Sequence, residues 1–320
     1  MNAEIRRPRI DGAQVIPVVM LVAALGAMAA IEPSVLSYDG LSLILIGTMP
    51  VILATLAQLF IMAAGDIDLG LGQFVGLVNV LVASMLTQAP VVCLIYLAVA
   101  ALAYVLMGIV IEWRRIPAIV VTFGMGSIWL GAALIVSPVP GGEAPGWLVD
   151  AVNASPALIP LPIILFVIAG VVSHILLFRT RLGIRLRGAA ETPHAAERIG
   201  ISITRSKAIL YSVAAAFALL AGFVLTGITG SGDPNGASAI VLSTVAAVIV
   251  GGGEFRGGRV NPTGAICAAV AIGLITSIMA FLNISAAYTS AVEGAILIAA
   301  LSIRLLGGWM GRRADKGEWG

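Results

Sequence analysis

The sequence predicts an all-α polytopic integral membrane protein: about ten transmembrane helices, some of them interrupted, with both termini cytoplasmic. Three observations predict it. The 320 residues are 60% hydrophobic and only 11% charged, with mean hydropathy +1.07, whereas a soluble domain carries about 25% charged residues. Apolar stretches of roughly 20 residues recur along the chain, each long enough to cross about 30 Å of hydrocarbon as a helix. All 18 Lys and Arg fall in segments that a strict in–out alternation puts on one side of the membrane.

The apolar segments run over residues 13–31, 41–64, 70–87, 91–111, 118–137, 158–178, 208–229, 239–252, 262–282 and 287–305. The eighth is short and flanked by glycine. Residues 1–12 form a cytoplasmic N-terminal tail, 13–305 the transmembrane domain and 306–320 a cytoplasmic C-terminal tail. Arg6, Arg7 and Arg9 precede the first segment, and the run after them shows no small-residue cleavage site of a secretory leader. Arg114 and Arg115 follow the fourth segment, and seven basic residues occupy 179–207. Arg256 and Arg259 follow the eighth, and Arg304, Arg312, Arg313 and Lys316 close the chain. The opposite loops carry acids: Glu32, Asp39, Glu143, Asp150 and Asp233. An even number of crossings with both ends inside accounts for this asymmetry. The net charge of +2 is too small to argue for nucleic acid.

Between the second and third segments stands GDIDLGLG, residues 65–72. Gly65, Gly70 and Gly72 allow backbone turns, and Asp66 and Asp68 can cap the N–H groups of the helix that follows. Irregular backbone at membrane depth survives only against protein or a wet cavity. The break therefore lies at the cytoplasmic end of the second segment or folds back into the membrane. Capping with helix packing and a place beside a translocation pathway are both open and compatible. A second break, GGGEFRGGRVNPTG at 251–264, repeats the glycine–acid pattern with Gly252, Glu254, Gly257 and Gly258. Paired interrupted segments point to the functional centre of a transporter. No GxxxxGK[ST] occurs, so ATP is not bound by that motif.

The longest polar stretch is RTRLGIRLRGAAETPHAAERIGISITRSK, residues 179–207. Within it Pro193 suits a first helical position and Gly200 a C-cap, so a short helix is expected across the membrane surface. Basic residues there attract anionic lipid. Lipid does not explain a capped helix bearing Ala and Gly, whereas the groove of a partner protein does.

Polar side chains inside apolar helices are candidates for a polyol pathway: Thr55 and Gln58, three residues apart on one face, then Asn79, Thr122 and Ser127. Interhelical hydrogen bonding is the competing reading for each. Glu293 is an intramembrane carboxylate, placed either toward a cavity or toward the outer surface. His174 reads as interfacial and His194 as a partner contact. Neither shows ligand spacing, and no metal site is expected. Cys93 and Cys267 sit in apolar runs as small buried residues.

Three of these stretches resemble membrane subunits of ATP-binding-cassette sugar importers of the ribose-permease type. GDIDLGLG resembles that family's G-G-I-D-L-S-x-G, with Asp66 in place of the second glycine. RGAAETPHAAERIGI resembles its G-x-N-xx-A-A-xx-x-G-I loop, with Ala190 or Glu191 where Asn is usual. AAVIVGGGEFRGGRVNPTGAICAAVAIGLI resembles its glycine-rich segment near the C-terminus, and PAIVVTFGMGSIWLGAALIVS at 117–137 fits its fifth helix. The likeness runs from about residue 40 to 305.

The resemblance implies a permease that does no covalent chemistry and binds no cofactor, ATP and Mg being held by a partner ATPase. It implies a second permease chain, identical or a sister, two cytoplasmic nucleotide-binding domains, and a periplasmic or lipid-anchored binding protein. It implies that residues 193–200 couple to the ATPase: Ala195, Ala196, Glu197 and Gly200 match the pattern, and Pro193 and His194 belong to the same helix. The expected function is passage of a sugar or polyol across the bacterial inner membrane. Nucleoside or branched-chain amino acid transport by the same broad group stays open, as does an ion-coupled secondary transporter.

Overall fold

The computed structural model describes residues 12–198, 200–254 and 258–285, with isolated positions from 288 to 302. Among them the protein is all-helical: α1 (Gly12–Ile31), α2 (Tyr38–Ile46), α3 (Met49–Ala63), α4 (Leu71–Met85), α5 (Pro90–Arg114), α6 (Ala118–Val136), α7 (Gly146–Val152), α8 (Leu161–His174), α9 (Arg181–Glu191), α10 (Pro193–Arg198), α11 (Ile203–Thr229), α12 (Ile240–Val250) and α13 (Pro262–Phe281). A π-helical turn, Ile175–Arg179, extends α8. Proline opens α3, α5, α8 and α13 within their first two positions, where its missing N–H has no intrahelical partner to lose.

Five helices are long and apolar enough to span a membrane: α5, α6, α8 with its extension, α11 and α13. The pair α2–α3 makes a sixth, bent by 51°. Segment 41–64, expected to be continuous, is therefore broken, and the cause is local. Pro50 has no N–H to give the carbonyl of Ile46, and the Thr48 hydroxyl donates instead to Leu45 O at 2.6 Å.

The layering follows from the solvent. α3 is buried from Ile52 to Ala63, and α4 and α12 are nearly as enclosed. Around them α5, α6 and α8 turn Leu94, Leu102, Phe123, Ile135 and Ile168 outward. Bilayer hydrocarbon accepts such side chains as readily as a core does, so cohesion rests on close packing and on internal polar links. An apolar groove of about 710 Å³ between α3, α8 and α11, lined by Leu53, Ile164, Val213 and Phe217 among others, suits hydrocarbon rather than a polyol.

Two further departures concern the connections. The 179–207 loop, expected to hold one short helix, is mostly helical. Thr180 caps α9, accepting from Gly183 N at 2.9 Å, and α9 buries Gly183, Leu186 and Ala189, a three-residue spacing that its arginines hide in the sequence. Between α6 and α8 the connection folds as α7. It is tied to the α11–α12 connection by paired bonds between Gly141 and Gly232 (2.9 and 2.8 Å). Segment 287–305 and the two tails fall largely or wholly outside the described residues.

Candidate functional site

The two glycine–acid breaks and the 179–207 segment meet at one end of the helix bundle. After α3 the chain turns at Gly65 (φ 86°), runs irregularly through residues 66–68 and bends at Leu69 and Gly70 into α4. Asp68 braces the approach to the next helix, whose N-cap is Gly70: Oδ1 accepts from Gly70 N at 2.7 Å, while Oδ2 accepts from the Tyr104 hydroxyl on α5. The Gln58 amide, on α3, lies 3.2 Å from both backbone groups of the same residue; oriented with its nitrogen toward Asp68 O and its oxygen toward Asp68 N, it donates to the first and accepts from the second. The Thr122 hydroxyl on α6 donates to Ile67 O and accepts from Leu69 N, each at 3.1 Å. Gly70 is required by proximity: a Cβ there would lie 2.5 Å from the carbonyl oxygen of Thr122. Every polar group of this irregular stretch named here is answered from a neighbouring helix, as burial demands.

Asp66 does something else. Its Oδ1 accepts from Lys207 Nζ at 2.9 Å and its Oδ2 from the Tyr211 hydroxyl at 2.9 Å, both on α11. Lys207 also reaches Glu112 Oε2, at the C-terminal end of α5, at 3.1 Å. The exposures are 8% for Asp66, 12% for Lys207 and 25% for Glu112, so one ammonium sits between two carboxylates with little water. Neither aspartate expected to cap α4 does so: Asp68 holds the N–H of Gly70, the N-cap residue itself, and Asp66 is half of an ion pair.

The second break lies against the same node. Gly258 N donates to Ala63 O, the last residue of α3, at 3.1 Å. Arg259 pairs with Glu191 at the end of α9 (3.2 Å) and with Glu254 (3.8 Å). With Arg259 66% exposed, these outer pairs contribute about 0–1 kcal/mol each. Gly252 has φ 101°, and Gly257 is outside the described residues.

Above the break, α9 and α10 form a small shelf. Arg187 Nε donates to Leu177 O at 3.1 Å and its guanidinium stacks on Phe178 at 4.0 Å. Burial there lowers its pKa below the usual value, with the Glu191 charge opposing. Ala196 of α10 is buried against Ala189 of α9 and Ile203, the first residue of α11. Ala195 faces outward, and Gly200 ends the turn at φ 79°. Pro193, His194 and Glu197 are in α10.

The other expected pathway residues scatter. Asn79 belongs to the opposite end, where its amide donates to Thr226 Oγ1 and Ser231 O (3.0 Å each) and accepts from Asp233 N at 2.7 Å. Thr55 is fully buried, its hydroxyl without a partner among the described residues. Ser127 lies on the exposed face of α6. Glu293 is outside the described residues. The structure thus brings Gln58, Thr122, Gly65, Asp66, Asp68 and Gly70 together and leaves Thr55, Asn79 and Ser127 apart. Sequence reasoning missed Tyr104, Tyr211 and Glu112, and took Lys207 for a loop charge. The signal for Lys207 and Tyr211 was their four-residue spacing at the start of an apolar helix. His174 is exposed and stacks on Phe178 at 5.0 Å. Cys93 is buried, with Sγ 3.4 Å from Leu81 O. No group of three metal-ligating side chains occurs among the described residues.

A helical bundle with apolar outer faces, whose two glycine-rich breaks and buried ion cluster meet at one end, is a multi-pass membrane transport component. The family described as branched-chain amino acid transport system / permease component matches residues 40–301, and the chain belongs to it. It is 28% identical over 249 residues to the ribose import permease protein RbsC of Bacillus subtilis (strain 168), covering 76% of this chain and 77% of that one. It is 26% identical over 290 residues to the autoinducer 2 import system permease protein LsrC of Enterobacter sp. (strain 638), covering 88% and 83%. To the LsrD permease of the same named system in Escherichia coli (strain K12) it is 24% identical over 316 residues, covering 92% and 95%. No solved structure matches it. The ribose-type resemblance read from the sequence is borne out, and the chain is a permease of the inner membrane.

Proposed function

We propose that this chain, paired with a second permease chain, forms the pathway by which a sugar or polyol enters the cell, moved by ATP hydrolysis on a cytoplasmic ABC ATPase. An extracytoplasmic binding protein delivers the solute. The chain crosses the membrane ten times with both ends inside, which places 179–207 in the cytoplasm. Pro193, His194, Ala195, Ala196, Glu197 and Gly200 form the coupling surface. The observation that carries the reading is the α9–α10 shelf. It presents a short helix outward and is packed, through Ala196 and Ile203, onto the first turn of a helix long enough to span the membrane. A ligand or partner on that shelf shifts the gate only by binding its two states differently.

Of the expected pathway residues, Gln58, Thr122 and Asn79 use their polar groups inside the chain. Thr55, Ser127 and Glu293 stay as proposed contacts for solute. The family description favours a second reading, branched-chain amino acid transport. Reconstitution in proteoliposomes with the ATPase and binding protein tests both. Uptake of labelled ribose that requires ATP, and is not displaced by leucine, supports the first. Uptake driven by a proton or sodium gradient without ATP overturns it.

A further inference from the structure

The Lys207 cluster caps no helix: it ties Asp66, in the α3–α4 break, to α11 and α5. Its place in the chain is suggestive. Four residues separate Ile203, on which the α10 shelf rests, from Lys207, so both lie on one face of α11. From there the ammonium reaches two other elements at once: Asp66 in the α3–α4 break (2.9 Å) and Glu112 on the last turn of α5 (3.1 Å). Tyr211, one turn further along, adds a second bond to Asp66. The family pattern quoted above has glycine at position 66, which offers no such acceptor; this chain has built a charged link there.

We propose that Lys207 is the positioning residue that makes the α10 shelf, the α3–α4 break and the inner end of α5 move as one unit, so that ATPase docking is transmitted to the gate. The physical reason is the burial. If α11 shifts alone, it strands two carboxylates and an ammonium in a poorly hydrated place, which is strongly unfavourable. Shifting together costs none of these contacts. This rests on the proposed ATP-driven function.

The test uses the reconstituted complex with ATPase and binding protein, and reads solute taken up per ATP hydrolysed. Lys207→Met keeps the aliphatic stem and removes the charge; its uptake-to-hydrolysis ratio is expected to fall about tenfold. Lys207→Arg, which can still span both acids, is expected to restore it. Should Lys207→Met assemble poorly, Lys207→Met/Asp66→Asn removes the stranded Asp66 charge. The proposal then requires normal assembly with the ratio still low. A wild-type ratio in Lys207→Met or in the double variant, or a double variant that also fails to assemble, reduces the cluster to scaffolding and overturns the proposal. A wild-type complex without ATP-driven uptake overturns the underlying function instead, and the proposal with it.

Discussion

Gln58 holds both backbone groups of Asp68, and its replacement by an isosteric apolar residue leaves an N–H and a C=O buried without partners. Gln58→Leu is therefore expected to cost about 2–3 kcal/mol of stability, read as a lower unfolding midpoint in detergent; an unchanged midpoint would mean that the amide does not hold the break. Gly70 carries a second prediction. A methyl group there meets the Thr122 carbonyl, so Gly70→Ala must push α4 and α6 apart, at about 1–3 kcal/mol. Gly124→Ala, on the same α6 but with open space around it, serves as the neutral control. From the sequence, Gln58 was a polar residue in an apolar helix, and nothing in it told a bond to backbone from a bond to solute. Asp68 was legible as a local partner for backbone N–H groups before α4, though it holds the N-cap residue's own N–H rather than the first turn. Asp66 was not recognisable as an ion-pair partner, because Lys207 is 141 residues away.

The helices show the same division between local and distant causes. Their starts were readable where Pro90, Pro193 or Pro262 stood, since proline imposes its own geometry. The bend in segment 41–64 was equally local, written in Gly47, Thr48 and Pro50, but hydropathy averages across it. α9 escaped notice because three arginines outweigh an apolar stripe three residues apart. α10 was expected from Pro193 and Gly200 and is there. That element carries a third prediction. Gly200 has a left-handed backbone, which costs another residue about 1–2 kcal/mol, and no atoms crowd its Cβ position. Gly200→Arg should insert in the membrane at normal levels yet lose co-purification with the ATPase; undiminished co-purification contradicts the coupling role.

Across the molecule, the arrangement separates two tasks. One end, sewn by Asn79, Thr226 and the Gly141–Gly232 pair, fastens the α6–α7 and α11–α12 connections to α4 and α11. The other end gathers both breaks, the ion cluster and the shelf. Composition and charge asymmetry were enough to read a multi-pass helical membrane protein, because a bilayer constrains every crossing alike. The convergence of residues 58–70, 112, 207, 258 and 259 was beyond them, since it depends on how the helices pack. The account stands on the shelf facing the cytoplasm, and the sidedness of Ala195, exposed on α10, tests that directly. In a chain carrying Ala195→Cys, with Cys93 and Cys267 replaced by Ala, a membrane-impermeant thiol reagent should label inside-out vesicles alone, and bound ATPase should protect the site. Labelling of intact right-side-out cells would contradict the account.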